Sequence, residues 1–346
     1  MSSQNQSPCS VKGIPVYSSI KPLDHYYVLL RDGSLAVVTG NWHVDYCIVG
    51  YVKYRPSGRP TQWSGRGGVF YERLVKTYGA NTVREHTSWS TYVPFFDSHV
   101  PCIPLTQVDG LLDPLKRSME ALRKASDGLE STAVEVLLDV SVSTGVLPGI
   151  TGSLLPGIHN PHYSDLDLVV YGLRESIHVV EYLASNKHTY MAFNGEKLNM
   201  WAKNAALSTG LSPRDILKFY RNWRRGVFRG KEYSFMYNDG VYRNVMLMPA
   251  FRSIGVARIV LDAYGGPMAL NYPAQASILS YRLVESLTRI PYDIERLLSY
   301  EAVYMTGLYE GGRFEAEGLV QCSNHLETCR MILGTYEYKG FMRYYG

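Results

Sequence analysis

The stretch Gly149-Ile150-Thr151-Gly152-Ser153, resumed eleven positions after Ser153 by Ser164-Asp165-Leu166-Asp167-Leu168-Val169-Val170-Tyr171-Gly172, decides how this chain is read. If Asp165 to Tyr171 is a strand, Asp165 and Asp167 project to one face while Leu166, Leu168 and Val170 project to the other. Two ionised carboxylates then converge over an apolar anchor, and that convergence calls for a cation. Hard Mg²⁺ takes few carboxylates plus substrate phosphates, and two such ions ~3.5–4 Å apart serve an attacking and a leaving oxygen. Gly152 lets a phosphate approach backbone N–H groups, and Ser153 offers a hydroxyl at an expected helix start. Alone, an Asp-x-Asp is usually a solvated strand end and a Gly-Ser usually a turn. Ordered in this way and followed by an apolar strand, they read as one functional unit.

Working outward, Leu115, Met119 and Leu122 fall at helical spacing after Pro114. Asp127 reads as a cap, with Glu130 as its returning carboxylate, before Leu129, Ala133, Leu137 and Val140. Gly145 stops that second helix and opens a Gly/Pro-rich segment to Pro161. Gly172 opens a further helix over about Arg174 to Ala184. Glu196 to Arg225 reads as mostly helical, interrupted at Ser212-Pro213, a cap and first-turn pair, and ends in a basic run.

Before this region, residues 1–20 read as a disordered lead. Tyr26 to Leu30 and Leu35 to Val38 flank Asp32-Gly33, a hairpin signal. A strand over Tyr46 to Tyr54 and a helix near Val69 to Tyr78 complete a β-rich module at 21–113. Residues 114–250 form the core with its helical insert. Residues 251–346 form a second β-rich module, with strands expected at Val256 to Tyr264, Ala302 to Tyr309, Glu315 to Gln321 and Arg330 to Tyr336, and one at Tyr233 to Tyr237 just before it.

The Gly-Ser and Asp-x-Asp passage, Leu147 to Ala184 with its flanking helices, resembles the DNA polymerase beta-like nucleotidyltransferase superfamily, which includes poly(A) polymerases and minimal nucleotidyltransferases. The wider arrangement is similar to an uncharacterised archaeal group of predicted nucleotidyltransferases. The resemblance implies an α+β fold, a nucleotidyltransferase-like mixed sheet with helices flanked by the two β-rich modules. It also implies that Gly152 and Ser153 hold the triphosphate of an NTP such as ATP, and that Asp165 and Asp167 bind Mg²⁺ or Mn²⁺. The superfamily usually adds a third carboxylate from a later strand. Glu232 is the first candidate here and Asp262 its rival, whereas Asp239 reads as an Asx turn with Gly240. A site of two carboxylates alone stays open.

The basic run Arg221-Asn222-Trp223-Arg224-Arg225-Gly226-Val227-Phe228-Arg229-Gly230-Lys231 places five cations beside two aromatics. Its composition suits phosphates and stacked bases, with Arg224 and Arg225 as nucleotide-binding candidates and a nucleic acid as one candidate acceptor. The plainer alternative is a solvated helix end whose cations complement the dipole. His159 and His162, between the motif halves, are given no role.

Composition bounds the rest. The 346 residues, 46% hydrophobic and 19% charged, belong to an ordinary globular protein, and a net charge of +4 permits a nucleic-acid partner without requiring one. Five scattered cysteines without a C-x-x-C pair indicate neither a disulfide framework nor a zinc site, which suits a reducing cytoplasm. The polar first ten residues are unlike a secretory signal, and no run approaches the ~18 apolar residues of a membrane span. The leading reading is a cytoplasmic enzyme acting without a membrane. A non-catalytic nucleotide- or RNA-binding protein on the same scaffold is the alternative.

Overall fold

The computed structural model describes residues 21–65, 67–75, 83, 86 and 88–346; the expected lead at 1–20 lies outside them. The hairpin at Asp32-Gly33 forms: Gly33 adopts φ +82°, its N–H bonds the Leu30 carbonyl at 2.9 Å, and the Ser34 N–H bonds Asp32 Oδ1 at 2.8 Å. It joins β1 (Tyr27–Leu30) to β2 (Leu35–Val38). Then come β3 (Trp42–His43), β4 (Cys47–Ser57), β5 (Trp63–Ser64), β6 (Phe70–Arg73), β7 (Ser90–Val93), β8 (Ser98–Pro104) and β9 (Val108–Leu112). All but β3 form one eight-stranded sheet, ordered β5-β6-β4-β2-β1-β9, with β8 also on β4 and β7 on β8. The helix expected near Val69 is therefore corrected: Phe70 to Arg73 is a strand because it pairs with β4 on one side and β5 on the other, and 76–78 lie outside the described residues.

Two helices follow. Asp113 caps α1 (Pro114–Arg123) by accepting from the Leu115 N–H at 2.8 Å. Asp127 caps α2 (Gly128–Thr144), accepting from Leu129 and Glu130 N–H groups at 2.9 and 3.0 Å. The Glu130 carboxylate reaches back to the Ser126 N–H at 2.7 Å and pairs with Arg117 of α1, whose Nε donates to the Leu154 carbonyl at 3.1 Å. That buried pair ties both helices to the loop after Gly152-Ser153.

The central sheet contains β10 (Gly149–Ile150), β11 (Leu166–Tyr171), β12 (Arg225–Phe228) and β13 (Lys231–Asn238) in the order β10-β11-β13-β12. Between β11 and β12 run α3 (Leu173–Ser185), α4 (Gly195–Thr209) and α5 (Pro213–Leu217), so β11 and β13 can lie parallel while the outer pairs are antiparallel. Ser212 caps α5, accepting from the Asp215 N–H at 3.2 Å. The helical reading of Glu196 to Arg225 fails beyond α5: Tyr220 to Arg224 turns into the β12–β13 hairpin.

A short strand β14 (Arg243–Asn244) pairs with β3 and binds this region to the first. The last segment holds β15 (Arg252–Tyr264), β16 (Ala274–Ser286), β17 (Ile294–Ser299), α6 (Met305–Glu310), β18 (Gly312–Ser323), β19 (Thr328–Leu333) and β20 (Phe341–Tyr344). Five strands close a barrel in the order β15-β16-β17-β19-β18 and back to β15, and β20 adds to β18. The strand expected at Ala302 to Tyr309 is instead a 3₁₀ turn and α6. Its Met305, Thr306, Gly307 and Leu308 are buried, and tertiary packing overrides the β-branched, aromatic pattern.

One apolar core runs from α2 through β11, β13 and α3 into the barrel, including Leu137, Leu168, Phe235, Leu261 and Met331. The first sheet has its own cores, and Trp42, Val44 and Cys47 pack on Leu298 and Ile332 of the barrel. The fold is thus mixed α/β with six helices among the described residues, several sheets and a closed barrel. None of those helices is long and apolar enough to cross a membrane.

The expected absence of disulfides is corrected. Cys47 bonds Cys102, and Cys322 bonds Cys329. Strand pairing makes both: β4 lies against β8, and Cys322 stands directly opposite Cys329 in the β18–β19 ladder. The argument from cysteine usage to a reducing cytoplasm falls with it.

Candidate active site

Ile150 pairs with Leu168, and the Thr151 N–H bonds the Asp167 carbonyl at 2.9 Å, so the two motif halves are joined by backbone. Gly152 follows with φ +63° and lies against the Asp167 side chain. Residues 152–157 are turns rather than a helix, so Ser153 does not begin a helix as expected; Gly157 and Pro156 close that run. Its hydroxyl instead meets Ser164 Oγ at 3.2 Å.

Leu166, Leu168 and Val170 are buried, while Asp165 is exposed and Asp167 half-buried. Both carboxylates line one cavity of about 300 Å³ with Ser153, Asn160, Tyr163 and Ser164. Its other walls are Arg225, four residues of the first sheet, Lys53, Tyr54, Trp63 and Arg73, and Gln62 just before β5. Ser234 of β13 is in register with both Asp167 and Arg225, placing those side chains on one sheet face, two strand spacings or ~10 Å apart.

The two carboxylates of the cavity act on each other. The Asp165 carboxyl is pushed up to about 6, chiefly by the charge of Asp167 and next by the loss of water around it in the cleft, with Arg225 and Lys53 pulling it down. Two repelling hard-oxygen donors beside a glycine that leaves room suit Mg²⁺ or Mn²⁺, and Asp165 and Asp167 would hold it.

Of the remaining candidates, Glu232 shares the sheet face of Ser234 and Asp167 by strand alternation, and the others lie elsewhere. Glu232 lies on the strand next to β11 but outside the cavity lining, its side chain 46% exposed and paired with Lys197 at 2.6 Å. Asp262 sits on the barrel strand β15, accepting from Ser280 Oγ at 2.8 Å. Asp239 makes its Asx turn, accepting from the Val241 N–H at 2.9 Å. Arg224, unlike Arg225, does not line the cavity; it donates to the Phe235 carbonyl, and burial followed by the charge of Arg225 lowers its pKa to about 10.

The basic run is not one helix end but a turn and a hairpin that send its side chains to different places. Trp223 and Phe228 are core side chains, Arg221 pairs with Glu310, Arg229 with Glu135 at 2.5 Å, and Lys231 donates to the Pro161 carbonyl at 2.8 Å. His159, left without a role, joins Asp127 through Nε2 at 2.6 Å, close to Glu130. Asp127 is already the α2 cap and Glu130 already holds Arg117, so this trio fastens the loop. Comparisons with protein-family models, curated proteins and solved structures return no match.

Proposed function

We propose that the protein transfers a nucleoside monophosphate from an NTP to a hydroxyl acceptor and releases pyrophosphate, in dependence on Mg²⁺ or Mn²⁺. The observation that carries this reading is the shared cavity: Asp165 and Asp167 face the Gly152-Ser153 turn and Arg225 across it. Bound Mg²⁺ or Mn²⁺ would polarise the phosphate and acceptor oxygens. Asp165 and Asp167 anchor that charge, Ser153 presents a hydroxyl to a phosphate, and Arg225 adds a fixed cation at the same face. The acceptor's O–P bond forms as the bond to pyrophosphate breaks, and its proton passes to solvent.

One observation favours the alternative, a non-catalytic nucleotide- or RNA-binding protein: among the described residues only two carboxylates line the cavity, and Glu232 is paired with Lys197. The test is a screen of α-labelled NTPs with Mg²⁺ or Mn²⁺ against tRNA, DNA primers, protein and small hydroxyl compounds. The position of the label identifies the acceptor class. Nucleotide binding without label transfer to any of them would favour the non-catalytic reading.

A further inference from the structure

Two residues outside the motif stand in the same cavity. We propose that Lys53 of β4 and Arg73 of β6 hold the phosphates of the nucleotide, so that the N-terminal sheet completes the catalytic centre. The inference rests on the nucleotide reading above and assigns the phosphate subsite within it.

The strand geometry at Lys53 is irregular. Leu35 of β2 stands opposite Tyr54 while Ala36 stands opposite Val52, so Lys53 is the extra residue of a β-bulge. A bulge breaks the alternation of side chains and re-aims one of them, and here Lys53 and its neighbour Tyr54 both reach the cavity wall. Arg73 is the register partner of Tyr54 on the next strand, which brings the two cations to one place from two strands.

Lys53 is 8% exposed, its ammonium 5.7 Å from the Tyr27 ring and 5.6 Å from the Tyr54 ring. Burying an ammonium is costly unless anions face it, and Asp165 is one that does. Among the described residues that line the cavity, Lys53, Arg73 and Arg225 stand with Asp165 and Asp167, so three cationic side chains meet where the carboxylates would hold a metal. A neutral ligand gives no reason for cations from two strands to gather beside that pair. A polyphosphate does, because lysine meets it as a point charge and arginine through a two-pronged donor.

The test uses inorganic triphosphate with Mg²⁺, titrated calorimetrically into the full-length protein and into Lys53→Met, Arg73→Met and Arg55→Met. Methionine keeps the apolar stem of Lys53, and Arg55 lies on β4 away from the cavity. Unmutated protein and Arg55→Met are expected to bind alike, within twofold, while each of the other two binds at least tenfold more weakly. Affinities within twofold in Lys53→Met and Arg73→Met, or no binding by the unmutated protein, would overturn the proposal. Should Lys53→Met fail to fold, the half-exposed Arg73 decides alone. Triphosphate binding that depends on both residues, in a protein that transfers no nucleotide, leaves this subsite standing and sinks only the enzymatic reading.

Discussion

Gly152 is packed so closely on Asp167 that a methyl group there would lie 2.7 Å from the Asp167 Cβ and closer still to its Oδ2. The φ of +63° at Gly152 adds a second reason for glycine, since a residue with a Cβ loses about 1–2 kcal/mol in that conformation. Gly152→Ala is therefore expected to lower stability by at least that amount and to displace the Asp167 carboxylate. Mn²⁺ titration followed by electron paramagnetic resonance should show affinity at least tenfold weaker. Unchanged affinity would mean that Asp167 does not bind the cation from this position.

The repulsion between Asp165 and Asp167 has a pH signature. Asp165 holds its proton more tightly in the folded protein than in the unfolded chain, so folding takes up a proton between the ordinary 3.8 and about 6. Stability of the metal-free protein should decline as pH rises through that window. Asp167→Asn removes the chief cause, so the decline should shrink, and the variant should be the more stable protein at pH 7 without metal. Urea unfolding at pH 4, 5, 6 and 7 measures it, and parallel curves for the two proteins would deny the coupling.

Arg225 and Arg229, four residues apart, should behave differently although the sequence presents them as one basic run. Arg225 lines the cavity, whereas Arg229 is 68% exposed and paired with Glu135. Arg225→Ala should weaken NTP binding at least tenfold, and Arg229→Ala should leave it within twofold. Neither should flatten the salt dependence of oligonucleotide binding by the ~0.7 per lost phosphate contact on single strands. A flattened slope for Arg229→Ala would restore the polynucleotide role of the run.

The two disulfides make a separate claim on stability. Closing a loop across the 55-residue separation of Cys47 and Cys102 removes about 4 kcal/mol of unfolded-chain entropy, and the 7-residue separation of Cys322 and Cys329 about 2. Dithiothreitol should lower the urea midpoint of the parent, and Cys47→Ala with Cys102→Ala should absorb the larger part of that effect. A midpoint indifferent to reduction would contradict the pairing.

What local pattern could settle was legible. The period-two alternation from Leu166 to Val170 placed Asp165 and Asp167 opposite the core, and Asp113, Asp127, Ser212 and Gly33 announced caps and a turn through chemistry that acts within four residues. What depends on partners distant in sequence was not. Lys53 and Arg73 enter the cavity because β4 carries a bulge and β6 pairs beside it, and nothing within Phe70 to Arg73 distinguishes that strand from a helix start. Cys47 and Cys102 meet only through the β4–β8 ladder. Ala302 to Tyr309 has a strand's composition and a helix's surroundings. Arg221 to Lys231 looked like one patch because a hairpin and its ion pairs scatter cations that the sequence lists in a row.

The most direct test of the central claim is pyrophosphate release, followed by ³¹P resonance, from each of the four NTPs with Mg²⁺ or Mn²⁺ and with the acceptor identified by the label screen. Release is expected from the unmutated protein only when the divalent cation is present, and Asp167→Asn, still folded, should release it at least a thousandfold more slowly. Equal release by the two proteins, or release undiminished when the cation is chelated, would contradict the assignment of Asp165 and Asp167 as a metal-dependent catalytic pair.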